Sequence, residues 1–160
     1  MKPKKEIALL LQLVEESYEK RAWQGPNLRG SIRGLTAQEA AWRPGLERHN
    51  IWEMVIHAAY WKYIIRRRIV GEKKGSFPLK GSNWIKRPIV LSENAWREDV
   101  RLLDEMHRSM VEAIVSLKPS KLYHKPAGSK FTNLSVIHGI ACHDVYHTGQ
   151  IQLLKRLMKQ

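Results

Sequence analysis

The chain has 160 residues, 43% hydrophobic and 27% charged, the balance of one globular domain with a real core. No apolar run approaches the roughly 18 residues of a membrane span. Nothing resembles a secretory core after Met1-Lys2-Pro3-Lys4-Lys5-Glu6, and the single Cys142 cannot form an internal disulfide, so a cytoplasmic location is expected.

Lysine and arginine total 28 against 15 acidic residues, a net charge of +13. Such an excess attracts anions of any kind. The positives are scattered over Lys2–Lys5, Arg66–Arg68, Lys73–Lys74, Lys86–Arg87 and Lys155–Lys159, without interleaved aromatic platforms or a nucleic-acid motif. Nucleic acid is therefore not expected as a partner, and an anionic small molecule is the weaker alternative to a solvated basic surface.

Ile7, Leu10, Leu11, Val14 and Tyr18 predict a first amphipathic helix from about Lys4 to Trp23, ended by Gly25-Pro26-Asn27. Leu28–His49 reads as a connection with one short helix, opened by a Thr36/Glu39 capping box and closed by Pro44-Gly45. Asn50 with Glu53 repeats the box logic and starts a long helix to about Val70, with Gly71 as its stop. That helix is apolar on most of its circumference, so it is expected at the centre of a bundle or against another subunit. Arg66–Arg68 at its end suit the helix dipole.

Glu72–Leu91 has no period and predicts a long loop, in which Trp84 must pack on something. Ser92 caps a helix to about Lys118, whose seam of Trp96, Val100, Leu103, His107, Met110, Ile114 and Leu117 places His107 inside. Thr132 caps the last helix, Leu134–Met158. Four long helices with one long crossover predict an all-α four-helix bundle, a single domain over residues 1–160.

Chemistry concentrates in His143-Asp144-Val145-Tyr146-His147. Two imidazoles four apart on a helix point the same way and can share one ion. The same spacing also suits two core histidines satisfied separately. A bundle would bring a third ligand from another helix, and His57 and His107 both lie on seams. His57 has the richer surroundings, with Glu53 one turn before it to orient the ring or cap the helix, and Trp61 one turn after it to wall a pocket. His138 lies about 140° round the helix from His143 at about 100° per residue and cannot join the ion. Three histidines with an open position form a catalytic rather than a structural pattern.

The run Trp52-Glu53-Met54-Val55-Ile56-His57-Ala58-Ala59-Tyr60-Trp61, followed by His143-Asp144-Val145-Tyr146-His147-Thr148-Gly149-Gln150-Ile151, resembles the DinB/YfiT-like superfamily of metal-binding four-helix bundles. Leu35-Thr36-Ala37-Gln38-Glu39-Ala40-Ala41-Trp42-Arg43-Pro44 resembles the turn before that family's second helix. The HxxxHxGQI run, paired with an upstream HxxxW, is the most specific part. The resemblance runs over most of the chain. It implies a His57, His143, His147 triad on one divalent ion, zinc or nickel, and a homodimer. It also implies, in some branches, an S-transferase that uses a low-molecular-weight thiol.

The function expected is a metal-dependent enzyme on small molecules, an S-transferase or a hydrolase. The competing reading is a non-enzymatic stress-response binding module with a basic surface, associated with nucleic acid. Around the triad, Asp144 is expected to brace a ligand or form a salt bridge. Gln150 is expected to reach the ion's water or a helix contact, and Gly149 to allow close helix approach. Cys142, beside His143, is expected to be a small buried residue, with a thiolate ligand as the alternative. Trp61, Trp84 and Arg87 are expected to meet the substrate or the carboxylate of a thiol, with Lys86 and Arg66–Arg68 as further cations. No catalytic acid, base or nucleophile of the chain is assigned, and no serine triad or phosphate loop is present.

Overall fold

The computed structural model describes residues 5–160. The predicted helix start at Lys4 and the basic residues before Lys5 lie outside them. The described residues form six α-helices and no strand: α1 Lys5–Tyr18, α2 Leu28–Ser31, α3 Ala37–Ala41, α4 Ile51–Val70, α5 Glu93–Val115 and α6 Asn133–Leu157. Residues Pro119–Lys121 add a 3-10 turn.

Local chemistry sets the helix starts. Thr36 and Glu39 form a reciprocal capping box, and Asn50, Ser92 and Thr132 each accept a hydrogen bond from the backbone amide three residues on. Gly71, at φ 75°, ends α4 in the left-handed region where side-chain-bearing residues are disfavoured. At Asn50 only half of the expected box forms, because the Glu53 carboxylate is turned elsewhere. Helix α1 ends five residues before the expected Trp23. Asn27 folds back to donate to the Lys20 carbonyl at 2.8 Å and accepts from the Gly30 amide, which opens the unpredicted α2.

Helices α1, α4, α5 and α6 close the bundle, with α4 packed along both α5 and α6 and α1 against α6 and α5. Ile51–Ala59 is buried without a break, as a central helix requires. The apolar core falls into two clusters. One joins the N-terminal halves of α4 and α5 to the C-terminal half of α6. The other joins α1 and Ile65 to the C-terminal half of α5 and the N-terminal half of α6. Helices α4 and α5 therefore run the same way, and α6 runs against them. Buried polar residues lie between the clusters: Lys62 on α4, His107 on α5, and Asp144, His147 and Thr148 on α6.

Two parallel helices need a connection that returns the length of the bundle. Residues 72–91 supply it as the expected long loop, laid back along α4. Its middle reaches His57 through Asn83, and its end reaches Asn50 and Glu53 through Arg87. Two expectations on α6 fail. Cys142 is exposed, because its position turns outward beside His138. Gly149 meets no neighbour, since a Cβ built there finds nothing within 4 Å; close approach within one chain does not explain it.

Candidate metal centre

The third imidazole comes from α4. The Nε2 atoms of His57 and His143 are 3.0 Å apart, and those of His143 and His147 are 3.1 Å apart. The three rings form the one His, Cys, Asp or Glu group among the described residues whose ligand atoms all lie within 4.8 Å of one another. His107, the other seam histidine, is buried elsewhere, stacked on Tyr18 with ring centroids 3.7 Å apart. His49, His124 and His138 stay outside the group.

The proton inventory shows what this cluster lacks. His57 Nδ1–H donates to the Asn83 carbonyl at 3.1 Å, so neutral His57 presents a bare Nε2 lone pair. His147 Nδ1–H donates to Gln150 Oε1 at 2.7 Å, while Gln150 Nε2 donates to the Tyr146 hydroxyl, which leaves His147 Nε2 bare as well. His143 Nε2 faces both lone pairs with at most one proton, and its Nδ1 is buried without a partner. Either tautomer leaves a buried polar atom unsatisfied, at a cost of about 1–3 kcal/mol.

A shared cation satisfies all three Nε2 atoms together. Zinc–nitrogen bonds of about 2.0–2.1 Å place tetrahedral ligand nitrogens about 3.4 Å apart, within a few tenths of an ångström of the His57–His143 and His143–His147 spacings. Burial lowers the pKa of His57 to about 4 and of His143 to about 3, and it lowers that of His147 too, so all three rings are neutral near pH 7, the form that ligates.

The crossover loop fixes His57. Asn83 adopts φ 58°, a conformation asparagine tolerates, and so aims its carbonyl at Nδ1 while its side-chain oxygen accepts from Trp61 Nε1 at 2.9 Å. Trp84 lies flat against the His57 ring at 3.9 Å, and His49 lies flat on the tryptophan's stacking system at 3.7 Å. Trp84 is thus packed between the His57 and His49 rings and holds the His57 ring in place. Sequence reading missed Asn83. A lone asparagine in a glycine- and proline-bearing loop hints at a left-handed residue, but nothing local says what its carbonyl faces.

Other expected neighbours are placed differently. Glu53 does not touch His57. It accepts from both Arg43 guanidinium nitrogens and from the Arg87 amide, and it lies 3.0 Å from His49 Nδ1. Burial pushes its carboxyl up, but these partners outweigh that and hold it below the usual range. It therefore reaches the His57 ring only through His49, which it holds behind Trp84. Asp144 braces no imidazole. It is fully buried and paired with Lys62, so of its two expected roles the salt bridge is the one formed. Arg87 holds both Asp99 oxygens, at 2.5 and 2.6 Å, and is spent there rather than turned to the triad. Arg66 pairs with Glu72. Gln150 meets His147 itself.

A family model described as the DinB superfamily matches residues 21–151. No curated protein and no solved structure matches the chain.

Proposed function

The chain belongs to the DinB superfamily, and from that premise we propose that it is a divalent-metal-dependent enzyme acting on small molecules, with His57, His143 and His147 as ligands and a coordination position left open. The observation that carries the reading is the set of three converging Nε2 atoms, two of whose rings already spend their only proton on the far side. When bound, zinc or nickel supplies a Lewis-acidic centre that lowers the pKa of a thiol or polarises a carbonyl. The residues of the chain do the rest. Asn83 and Trp84 hold the His57 ring in position, and Gln150 sets the His147 tautomer. An S-transferase with a low-molecular-weight thiol is the favoured activity and a hydrolase the second.

A homodimer and a cytoplasmic location belong to the same proposal. Leu9, Leu13, Val145 and Leu153 are exposed apolar area that a second copy would cover. The free thiol of Cys142 suits a reducing compartment. No helix of the described residues is long and apolar enough to cross a membrane.

Elemental analysis of protein purified without an affinity tag tests the core of the proposal. Near one zinc or nickel per chain is expected, with none in the triple His57→Ala, His143→Ala, His147→Ala variant. A panel of thiols with monochlorobimane then tests the transferase reading. Metal-free wild-type protein that takes up no added zinc or nickel would refute the site. Salt-sensitive retention on nucleic acid together with that result would favour the binding-module reading.

A further inference from the structure

A cavity of about 450 Å³ opens beside His143, between α4 and α6, at the lower end of the size range for small-molecule pockets. Trp61 and Ile65 form its α4 wall, Val136 and Ile140 its α6 wall, and Phe131 its rim. No charged side chain lines it, in a chain of net charge +13. Its one hydroxyl, on Ser135, is engaged with the Thr132 hydroxyl at 2.9 Å.

Three features make this a shaped space beside the triad rather than an incidental gap. Trp61 is locked by its bond to Asn83, the residue that also holds His57, so the flat wall and one histidine of the triad share a clamp. Gly139 lies on the cavity lining one turn before His143, and a Cβ there would meet nothing within 4 Å. Gly139 is exposed at the cavity mouth, so a long side chain placed there has room to extend over the opening. Phe131 is 64% exposed at the rim, held in a turn by paired hydrogen bonds between Ser129 and its own backbone.

We propose that this cavity is the subsite for an uncharged, apolar, planar part of a small-molecule substrate, which it sets beside His143. The inference rests on the reading of the triad as a metal-dependent active site, which gives the cavity its place next to the reacting centre. Desolvation dictates the class. An ammonium entering here would lose water and gain no partner, and a carboxylate would find one only by leaving the apolar walls for the cation at the triad, whereas an aromatic group would exchange water for Trp61, Ile65 and Ile140. The basic residues first expected to hold an anion do not line it.

The test reads equilibrium binding, so it does not depend on turnover. Neutral 2-naphthol and anionic 2-naphthalenesulfonate, whose sulfonate is a poor ligand for zinc or nickel, are titrated by calorimetry into the full chain as purified, into Gly139→Leu, which fills the cavity, and into Phe131→Ala, which removes an exposed rim. Naphthol is expected to bind wild type at least tenfold more tightly than the sulfonate. Gly139→Leu is expected to lose at least tenfold and Phe131→Ala about threefold, with circular dichroism and metal content of both variants unchanged.

Equal or stronger binding of the sulfonate overturns the proposal, and so does full affinity in Gly139→Leu. So does a Gly139→Leu variant whose only change, by light scattering, is loss of a wild-type dimer, since the face would then be covered by a second copy. If the wild type proves metal-free yet keeps the naphthol preference and the Gly139→Leu loss, the active-site reading fails while the cavity assignment stands.

Discussion

Replacing Lys62 by methionine tests how the middle of the bundle is built. Lys62 has no exposed surface, Asp144 is 1% exposed, and the ammonium pairs with one carboxylate oxygen. That ammonium also lies 4.9 Å from the centroid of the Tyr18 ring, and the second Asp144 oxygen has no partner at all. Methionine keeps most of the stem and removes the charge, leaving a buried carboxylate alone. Breaking a buried pair in this way costs about 3–5 kcal/mol. For a chain of this length each kcal/mol moves Tm by about 2–4 °C, so the melting point should fall by about 6–20 °C. The double variant Lys62→Met, Asp144→Leu removes the orphan and should recover most of the loss, because apolar replacement of a buried pair is often neutral or stabilising.

Urea denaturation of wild type, both single variants and the double gives the coupling energy directly. Metal content of the same four proteins reads the second consequence. The pair joins α4 to α6 just past His57 on one helix and next to His143 on the other, so the double variant should be stable yet hold metal more weakly. A loss below about 1 kcal/mol in Lys62→Met would mean that Asp144 is not desolvated, and the reasoning fails. A double variant as unstable as the single would assign the effect to packing of the lysine stem instead.

His107 is held by burial down to about 2, so it takes up a proton only when the chain unfolds. Its contribution is complete above about pH 6.5 and is lost as pH falls, at about 1.4 kcal/mol per unit. His107→Leu should therefore lose about 2.3 kcal/mol less than wild type between about pH 6.5 and 4.5 in urea titrations; an equal loss would show that the folded protein protonates this ring. Gln150→Leu should weaken metal binding by about 10–100-fold in competition with a chelator, because the His147 ring loses the acceptor that sets its tautomer. A change within about twofold would remove Gln150 from the site. Arg87→Ala strands Asp99, which keeps only the Trp52 indole, and should cost about 2–3 kcal/mol, near the lower edge for a buried pair because Arg87 is partly exposed. Any thiol KM should stay unchanged. A tenfold rise in KM with an unmoved Tm would return Arg87 to substrate binding.

Much of the fold was legible because helix starts and faces are set within a few residues. Thr36, Asn50, Ser92 and Thr132 cap the amides three positions on, and the spacing from Trp96 to Leu117 places its seam inward without reference to anything distant. Helix α2 was missed because four residues carry no period, and its start depends on Asn27 turning back to Lys20. Cys142 and Gly149 were misjudged because both face away from the bundle, and a small residue shows the same composition on either side.

The pairing of His143 with His147 follows from the helix repeat, and so does their shared direction. The choice of His57 over His107 does not, since both lie on apolar seams and only the packing of α4 against α6 brings one of them, 86 residues away in sequence, to His143. The fates of Asp144, Arg87, Glu53 and Trp84 were equally closed to the sequence. A charge or ring in a buried place takes the partner that desolvation makes most urgent, and here those partners arrive from other helices and from a loop that crosses the whole bundle. Periodicity and capping act along the chain, and the sequence by itself determined them. Burial and charge pairing act across space, and only the tertiary structure decided them.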